Sequence, residues 1–218
     1  MTLPFLRRYG AACGLALLLA GCAGMTAQTS LNQGSVALKR HYNDSIVLSG
    51  RLSILYTQYG REQGVHGSFT WDQHSDHIVL SLFSPLGQTL VVIDIKPGIA
   101  VLTQADKNPI AAADVDLLLA QALGWPLPVS SLHEWLQGFG HTADGHAFVA
   151  QPNSTSSTFE TPDGWTLNYG AWQDDADNTA QNRPKRIDLK RQTEQAGPVS
   201  IRIVIDKWQV AGTATASQ

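Results

Sequence analysis

The chain is short of charge. Asp, Glu, Lys and Arg make up 15% of its 218 residues, against about 25% in an ordinary soluble domain. With 43% hydrophobic residues it has ample material for a core and lacks the signature of a disordered chain. Basic residues are scarce: 15 Lys and Arg against 18 Asp and Glu give a formal charge of −3. That excludes a broad basic face of the kind that grips nucleic acid. Cysteine is nearly absent. Cys13 and Cys22 are too few for a disulfide scaffold. Long hydrophobic runs are missing except for Tyr9 to Ala20, and that block is shorter than the roughly 20 residues a membrane-crossing helix needs.

Familiar catalytic motifs are missing too. There is no G-x-S-x-G elbow, Walker loop, H-E-x-x-H or paired C-x-x-C. His74 and His77 are three apart, but a turn with Asp76 lies between them. A period of two places them on opposite sides, so no metal site is expected there. His141 and His146 merely flank a Thr-Ala-Asp-Gly turn. Asp174, Asp175 and Asp177 are spaced like the start of a calcium loop. A loop begun at Asp175 has Ala180 where glycine is required and Arg186 where glutamate is required, so the motif fails. No cofactor and no enzymatic activity are expected, although scattered carboxylates leave a glycosidase-type pair open.

The N-terminus carries the first positive signal. Arg7 and Arg8 precede the apolar stretch Tyr9 to Ala20, which fits the h-region of a signal peptide. Leu19-Ala20-Gly21-Cys22 follows directly and resembles the lipobox of bacterial lipoproteins. Cleavage before Cys22 leaves 197 residues, and with Arg7 and Arg8 gone the formal charge becomes −5. Cys13 leaves with the leader and Cys22 carries the lipid, so no thiol remains for catalysis, metal or disulfide. Stable anchoring takes about two acyl chains, which a diacylated, N-acylated Cys22 supplies. Residue 23 is Ala. In lipoproteins of enterobacterial type an Asp there marks inner-membrane retention, so the resemblance implies the outer membrane.

Residues 22–32 are small and polar and read as a flexible tether. Leu31, Ala37, Leu38 and Tyr42 give a modest helical pattern. From Ile46 the period is two: Leu48, Gly50, Leu52, Ile54 and Tyr56 share one face, opposite Ser49, Arg51 and Ser53. Val65, Gly67, Phe69 and Trp71 repeat this, as do Ile78, Leu80 and Leu82. Leu90 to Ile95 is denser and reads as buried on both faces, or facing another apolar surface. Val101 to Thr103 is a further short strand. Short turn-forming separators point to antiparallel hairpins.

Asp114 to Leu123 turns helical, with Val115, Leu118, Leu119 and Ala122 at three-four spacing and Gly124 as the stop. After the stiff Trp125-Pro126-Leu127-Pro128 link, Ser131 to Glu134 has capping-box spacing, with Ser130 an equal candidate cap. Leu132, Trp135 and Leu136 form the apolar side of that second helix. Strands resume, weakly at Ala147 to Ala150 and Ser157 to Thr161, clearly at Trp165, Leu167 and Tyr169, at Ile187 and Leu189, and from Val199 to Ile205. Gln173 to Arg183 reads as a long polar loop and residues 211–218 as a disordered tail. The class is α+β: a curved antiparallel sheet with helices on one face.

Gly50-Arg51-Leu52, the Gly67, Phe69 and Trp71 series, Ser84-Pro85-Leu86-Gly87-Gln88-Thr89, Leu123-Gly124-Trp125-Pro126-Leu127-Pro128, the Leu132, Trp135, Leu136 and Gly138 group, and the late Trp165, Tyr169 and Trp208 occur in this order between about residues 40 and 208. With the lipobox, they resemble the LolB family of outer-membrane lipoprotein receptors. The resemblance implies an unclosed antiparallel β-barrel, a strongly curved sheet with helices covering its concave face around an apolar cavity. It implies a domain at 33–210 behind a signal peptide at 1–21. It also implies a function: acceptance of triacylated lipoproteins from the periplasmic carrier LolA and their insertion into the outer membrane. The expected partners are a LolA-like carrier, triacylated cargo and outer-membrane phospholipid. A monomer held by its lipid at the periplasmic face is expected, with no nucleic acid partner.

Site residues follow. Cys22 is the lipidation site. The turn Pro85, Leu86 and Gly87 joins two strands, where a side chain tends to protrude, and the resemblance makes its leucine the residue that passes cargo to the membrane. For the acyl-chain cavity, the strand and helix faces select Leu52, Ile54, Phe69, Trp71, Leu80, Leu82, Leu90, Val92, Leu118 and Trp135. Six tryptophans either fill the core or line that cavity. Arg51 has an acidic partner or a carbonyl at the rim; the sequence leaves both open. Rival functions are an anchored lipid-binding protein without a transfer role, an envelope hydrolase and a purely structural lipoprotein.

Overall fold

Alternating apolar residues build most of the molecule. The structure, a computed structural model, describes residues 40–152, 157–173, 183–194 and 196–210. The leader, Cys22, the tether, residues 174–182 of the polar loop and the tail beyond Val210 lie outside the described residues. So does most of the expected helix from Leu31, and its end, Arg40 to Tyr42, is not helical.

Five strands follow one another: β1 (Ser45–Gln58), β2 (Arg61–His74), β3 (His77–Phe83), β4 (Thr89–Lys96) and β5 (Ile99–Gln104). A short β6 (Ile110–Ala112), which the sequence pattern did not disclose, completes this half. Helices α1 (Val115–Leu123) and α2 (Val129–Trp135) come next. Then follow β7 (Phe139–His141), β8 (Ala147–Val149), β9 (Thr158–Glu160), β10 (Thr166–Gln173), β11 (Arg183–Thr193) and β12 (Gly197–Val210). Ten strands form one sheet in the order β6-β5-β4-β3-β2-β1-β12-β11-β10-β9, while β7 and β8 pair separately. Every pairing is antiparallel. The order begins and ends on different strands, so the sheet is not closed.

The central long-range pairing is β1 with β12, which brings the two ends of the domain together: Leu52 lies opposite Ile203 and Ile54 opposite Ile201. One face of the sheet carries the core. Leu48, Leu52, Ile54, Phe69, Trp71, Leu80 and Leu82 are buried, and so are Leu167, Leu189, Ile201 and Ile203. Burying a Leu or Ile side chain is worth about 1.5–3 kcal/mol, so this face is the main stabilising feature. Close strand approach demands glycine at both Gly50 and Gly67. A Cβ on Gly67 would lie 2.0 Å from the Phe83 carbonyl oxygen, where β3 peels away from β2.

The helices are set by their termini. Asp114 caps α1, accepting a 2.9 Å hydrogen bond from the Leu117 backbone N–H, and Gly124 ends it. In α2 the expected caps do not act: the helix starts at Val129 behind Pro128, with no side-chain cap of its own. Instead Asp116 of α1 accepts hydrogen bonds from the Ser130 backbone N–H, at 3.0 Å, and from the Ser130 hydroxyl. A carboxylate borrowed from the neighbouring helix serves the orphan donors. Capping-box spacing in the sequence carries no information about such a tertiary partner.

Two further expectations are corrected. Leu90 and Val92 do not face the core; Val91 and Ile93 do. Leu82 pairs with Val91 but Phe83 pairs with Thr89, so the ladder slips and the phase of β4 is set by Val91. His74 and His77 are not on opposite sides, because they are direct cross-strand partners flanking a two-residue turn. Each meets its own carboxylate, His74 with Asp72 at 2.8 Å and His77 with Asp94 at 3.2 Å.

Candidate functional site

An apolar slot lies between the sheet and α2. Leu52, Phe69, Trp71, Leu80, Leu82 and Ile203 form its sheet wall. Leu127 from the proline-rich link and Leu132 and Leu136 from α2 and its C-cap form the opposite wall. The exposed lining is entirely carbon, and the free space is about 20 Å³, room for roughly one water. A cavity of this chemistry offers affinity without directional bonds.

Five of the expected cavity residues meet here: Leu52, Phe69, Trp71, Leu80 and Leu82. Ile54, Leu118 and Trp135 are buried in the core but do not line the slot. Leu90 is 43% exposed and Val92 half-buried on the other face of β4. Leu127, Leu132 and Leu136 line the slot as well; their apolar character, but not their position across from Trp71, is visible in the sequence.

Polar ties position this lid-side segment. Trp71 donates its indole N–H to Gln73 at 3.1 Å, and buried Gln73 donates in turn to the Tyr42 hydroxyl at 2.9 Å. Gln137, also buried, accepts from the Asn43 backbone N–H at 2.8 Å and donates to the Asn43 and His133 carbonyls. The Tyr169 hydroxyl donates to the Trp135 carbonyl at 3.0 Å, and burial pushes that phenol above its ordinary pKa. At the other end, burial pushes the Asp116 carboxyl up, against the opposing effect of the Ser130 hydrogen bonds. Helix α2 is thus held at both ends while its middle presents only leucine to the slot.

The tryptophans divide. Trp71, Trp125, Trp135 and Trp165 are buried, and only Trp71 lines the slot. Trp172 and Trp208 are half-buried and lie under cations, with Arg40 4.8 Å from the Trp172 ring and Arg183 5.4 Å from the Trp208 ring.

The β3–β4 connection is the second feature. Gly87 donates to the Ser84 carbonyl at 2.9 Å, Ser84 donates to the Gln88 carbonyl at 2.8 Å, and Gln88 donates to the Ser84 hydroxyl at 3.2 Å. Gly87 holds φ at +81°, a left-handed conformation that glycine adopts without strain. Pro85 fixes its own φ. This closed turn leaves Leu86 nowhere to fold back, and it is 89% exposed. An isolated exposed leucine is ordinary; one presented by a stiff Pro-Leu-Gly turn is a defined feature. Arg51 resolves toward the acidic option, donating Nε and one terminal nitrogen to Asp206 at 3.0 and 2.9 Å. That pair raises the Arg51 pKa through its hydrogen bond and charge.

Known proteins agree with these observations. The family model "Outer membrane lipoprotein LolB" matches residues 44–208. The chain belongs to the LolB family. An Outer-membrane lipoprotein LolB from Cupriavidus pinatubonensis is 38% identical over 92% of this chain and 94% of its own length. Those of Cupriavidus metallidurans and Ralstonia nicotianae are 37% and 36% identical, over 87% and 91% of this chain and 90% and 93% of theirs. A solved LolA superfamily protein from Nitrosomonas europaea overlaps 78% of this chain and 88% of its own at 10% identity and a TM-score of 0.43, too loose a likeness to carry an inference. LolB-family membership makes the chain an outer-membrane lipoprotein with a role in lipoprotein localisation. In LolB terms, the apolar slot and the Leu86 turn are the two features that such a role can use.

Proposed function

We propose that this protein, anchored to the outer membrane through Cys22, accepts triacylated lipoproteins from a LolA-like carrier and inserts them into the bilayer. The domain from 33 to 210 does this work as a monomer, its sheet curving into an unclosed barrel whose concave face is covered by α1 and α2. The carbon-lined slot between β1–β3, β12 and α2 is the observation that carries the reading. Three long acyl chains in water cost on the order of tens of kcal/mol, at about 0.8 kcal/mol per methylene. A receptor must therefore cover them throughout the handover.

The slot is narrow, with room for about one water. Cargo uptake consequently requires Leu127, Leu132 and Leu136 to move away from the sheet and the acyl chains to take their place. That exchange replaces leucine against sheet by methylene against sheet, so it is nearly balanced in apolar area. Direction then comes from relative affinities: carrier, receptor, bilayer. The exposed Leu86 supports membrane contact at the release step, and its partitioning of about 1.5–3 kcal/mol orients the domain without anchoring it.

The test is a handover. Cargo-loaded carrier is mixed with liposomes bearing the full lipidated chain, and the cargo is followed by flotation. The expected result is cargo in the liposome fraction only when this chain is present. Cargo remaining on the carrier would refute the receptor reading. Floated cargo that remains wholly crosslinkable to this chain, and so has not passed into the bilayer, would favour an anchored lipid-binding protein instead.

A further inference from the structure

A second concavity, about 510 Å³ and open to solvent, lies against the Leu86 turn. Ser84, Pro85 and Gly87 of the turn form one wall. Arg51, His66 and Arg202, from three adjacent strands, line it as well. The exposed lining is mostly carbon, and Leu52 and Val204 are among the lining residues. An apolar floor with a cationic edge, beside a protruding leucine, matches one amphiphile in shape and charge.

The charge balance supports an anion. Asp206 pairs with Arg51, and Asp188 is shared between Arg202 at 2.5 Å and Arg186 at 3.2 Å. Arg51 and Arg202 line the groove, whereas Asp206, Asp188 and Arg186 do not. A guanidinium has five N–H donors, and the fork to Asp206 uses two of the five on Arg51. The ion pairs therefore orient the arginines and still leave donors for a phosphate, the group that Arg binds best in two-pronged fashion.

We propose that this groove seats the headgroup of an outer-membrane phospholipid, with its phosphate at Arg51 and Arg202 and its glycerol end toward Pro85, while Leu86 enters the acyl layer. The proposal rests on the reading of the Leu86 turn as a membrane contact and adds the lipid class and its site. It makes the membrane-docked orientation specific: one lipid headgroup clamped beside the point of insertion.

The full lipidated chain is reconstituted in vesicles of phosphatidylethanolamine and phosphatidylglycerol. A photo-crosslinking residue is placed at Ser68, which lines the groove, or at the exposed Gln88 of the turn. Lipid adducts are then counted by mass spectrometry. Both positions are expected to label phospholipid. Arg51→Gln with Arg202→Gln cuts labelling from Ser68 at least tenfold and leaves labelling from Gln88 unchanged. Asp206→Asn, which releases Arg51 from its partner, raises labelling from Ser68. These are surface pairs with little weight in folding, and circular dichroism verifies that each variant is folded. Adducts from Gln88 but none from Ser68 would overturn the groove and spare the membrane-contact reading; no adducts from either would overturn both. Labelling from Ser68 that ignores the arginines, or persists undiminished in phosphate-free glycolipid vesicles, would also overturn the headgroup site.

Discussion

Replacing Leu86 by glutamate separates folding from delivery. The side chain is 89% exposed on a turn closed by backbone bonds that involve Ser84, Gly87 and Gln88. None of the described residues packs over it, so stability is expected to change by no more than about 0.5 kcal/mol. For a domain of this size that is a melting shift of about 1–2 °C. Membrane contact loses the transfer energy of a leucine, about 1.5–3 kcal/mol, which is roughly a 10- to 150-fold weaker engagement. The carboxylate adds its own desolvation cost. Leu86→Ala, which removes the branched end but no polarity rule, is expected to fall between wild type and Leu86→Glu. The assay has two stages: cargo transfer from carrier to this chain, and cargo transfer onward to liposomes. The first is expected to proceed at the wild-type rate and the second to fall by at least tenfold. Onward delivery by Leu86→Glu within twofold of wild type would refute the reasoning. A melting shift of many degrees would refute it differently, by showing that the turn is part of the core.

Other perturbations test the rest of the site. Leu132→Asp places a carboxylate in a slot lined only by carbon, and is expected to abolish cargo uptake and lower the melting temperature sharply; Leu136→Ala, at a buried site, is expected to cost about 2–5 kcal/mol in urea unfolding. Gly67→Ala drives a Cβ to 2.0 Å from the Phe83 carbonyl oxygen, so a loss of about 1–3 kcal/mol is expected from overpacking against backbone that cannot yield. Asp116 has a carboxyl pKa raised by burial. A raised pKa means that the folded state holds its proton more tightly than the unfolded one. The contribution is therefore full below the unfolded-state pKa and is lost as pH rises through the higher folded-state value. Asp116→Asn should remove that pH dependence, whereas Asp116→Ala, by leaving the Ser130 N–H without its acceptor, should cost about 1 kcal/mol in thermal melts.

Local pattern carried most of the fold. Period-two alternation at Leu48 to Tyr56 and at Val199 to Ile205 settles which residues point inward, because a polar partner on the other face marks the phase. The Asp114 cap and the Gly124 stop delimit α1 by chemistry internal to the segment. Where phase is unmarked, local pattern does not decide which residues face inward. Leu90 to Ile93 is apolar in both phases, and the ladder slip at Leu82/Phe83 decided for Val91 and Ile93. Asp94, on the outward phase with Val92, was the available signal. The short β6 and β7, three residues each, are too brief to show a period, whereas β8 is read within Ala147 to Ala150; the loan of Asp116 to the start of α2 depends on a residue of another helix.

The sequence by itself offered a segment that resembles a lipobox at Leu19 to Cys22, and determined the strand faces that turn Leu52, Phe69, Trp71, Leu80 and Leu82 the same way and a turn at Ser84 to Gly87 that contains a leucine. These are properties of short segments, governed by spacing and by backbone preference. Only the tertiary structure decided that Leu127, Leu132 and Leu136 line one narrow slot with those five residues, leaving room for about one water. Only it set Arg51 and Arg202 on the same groove as the Leu86 turn. Those arrangements arise from pairing β1 with β12 across the whole domain and from docking α2 on the sheet, and no local periodicity encodes either distance.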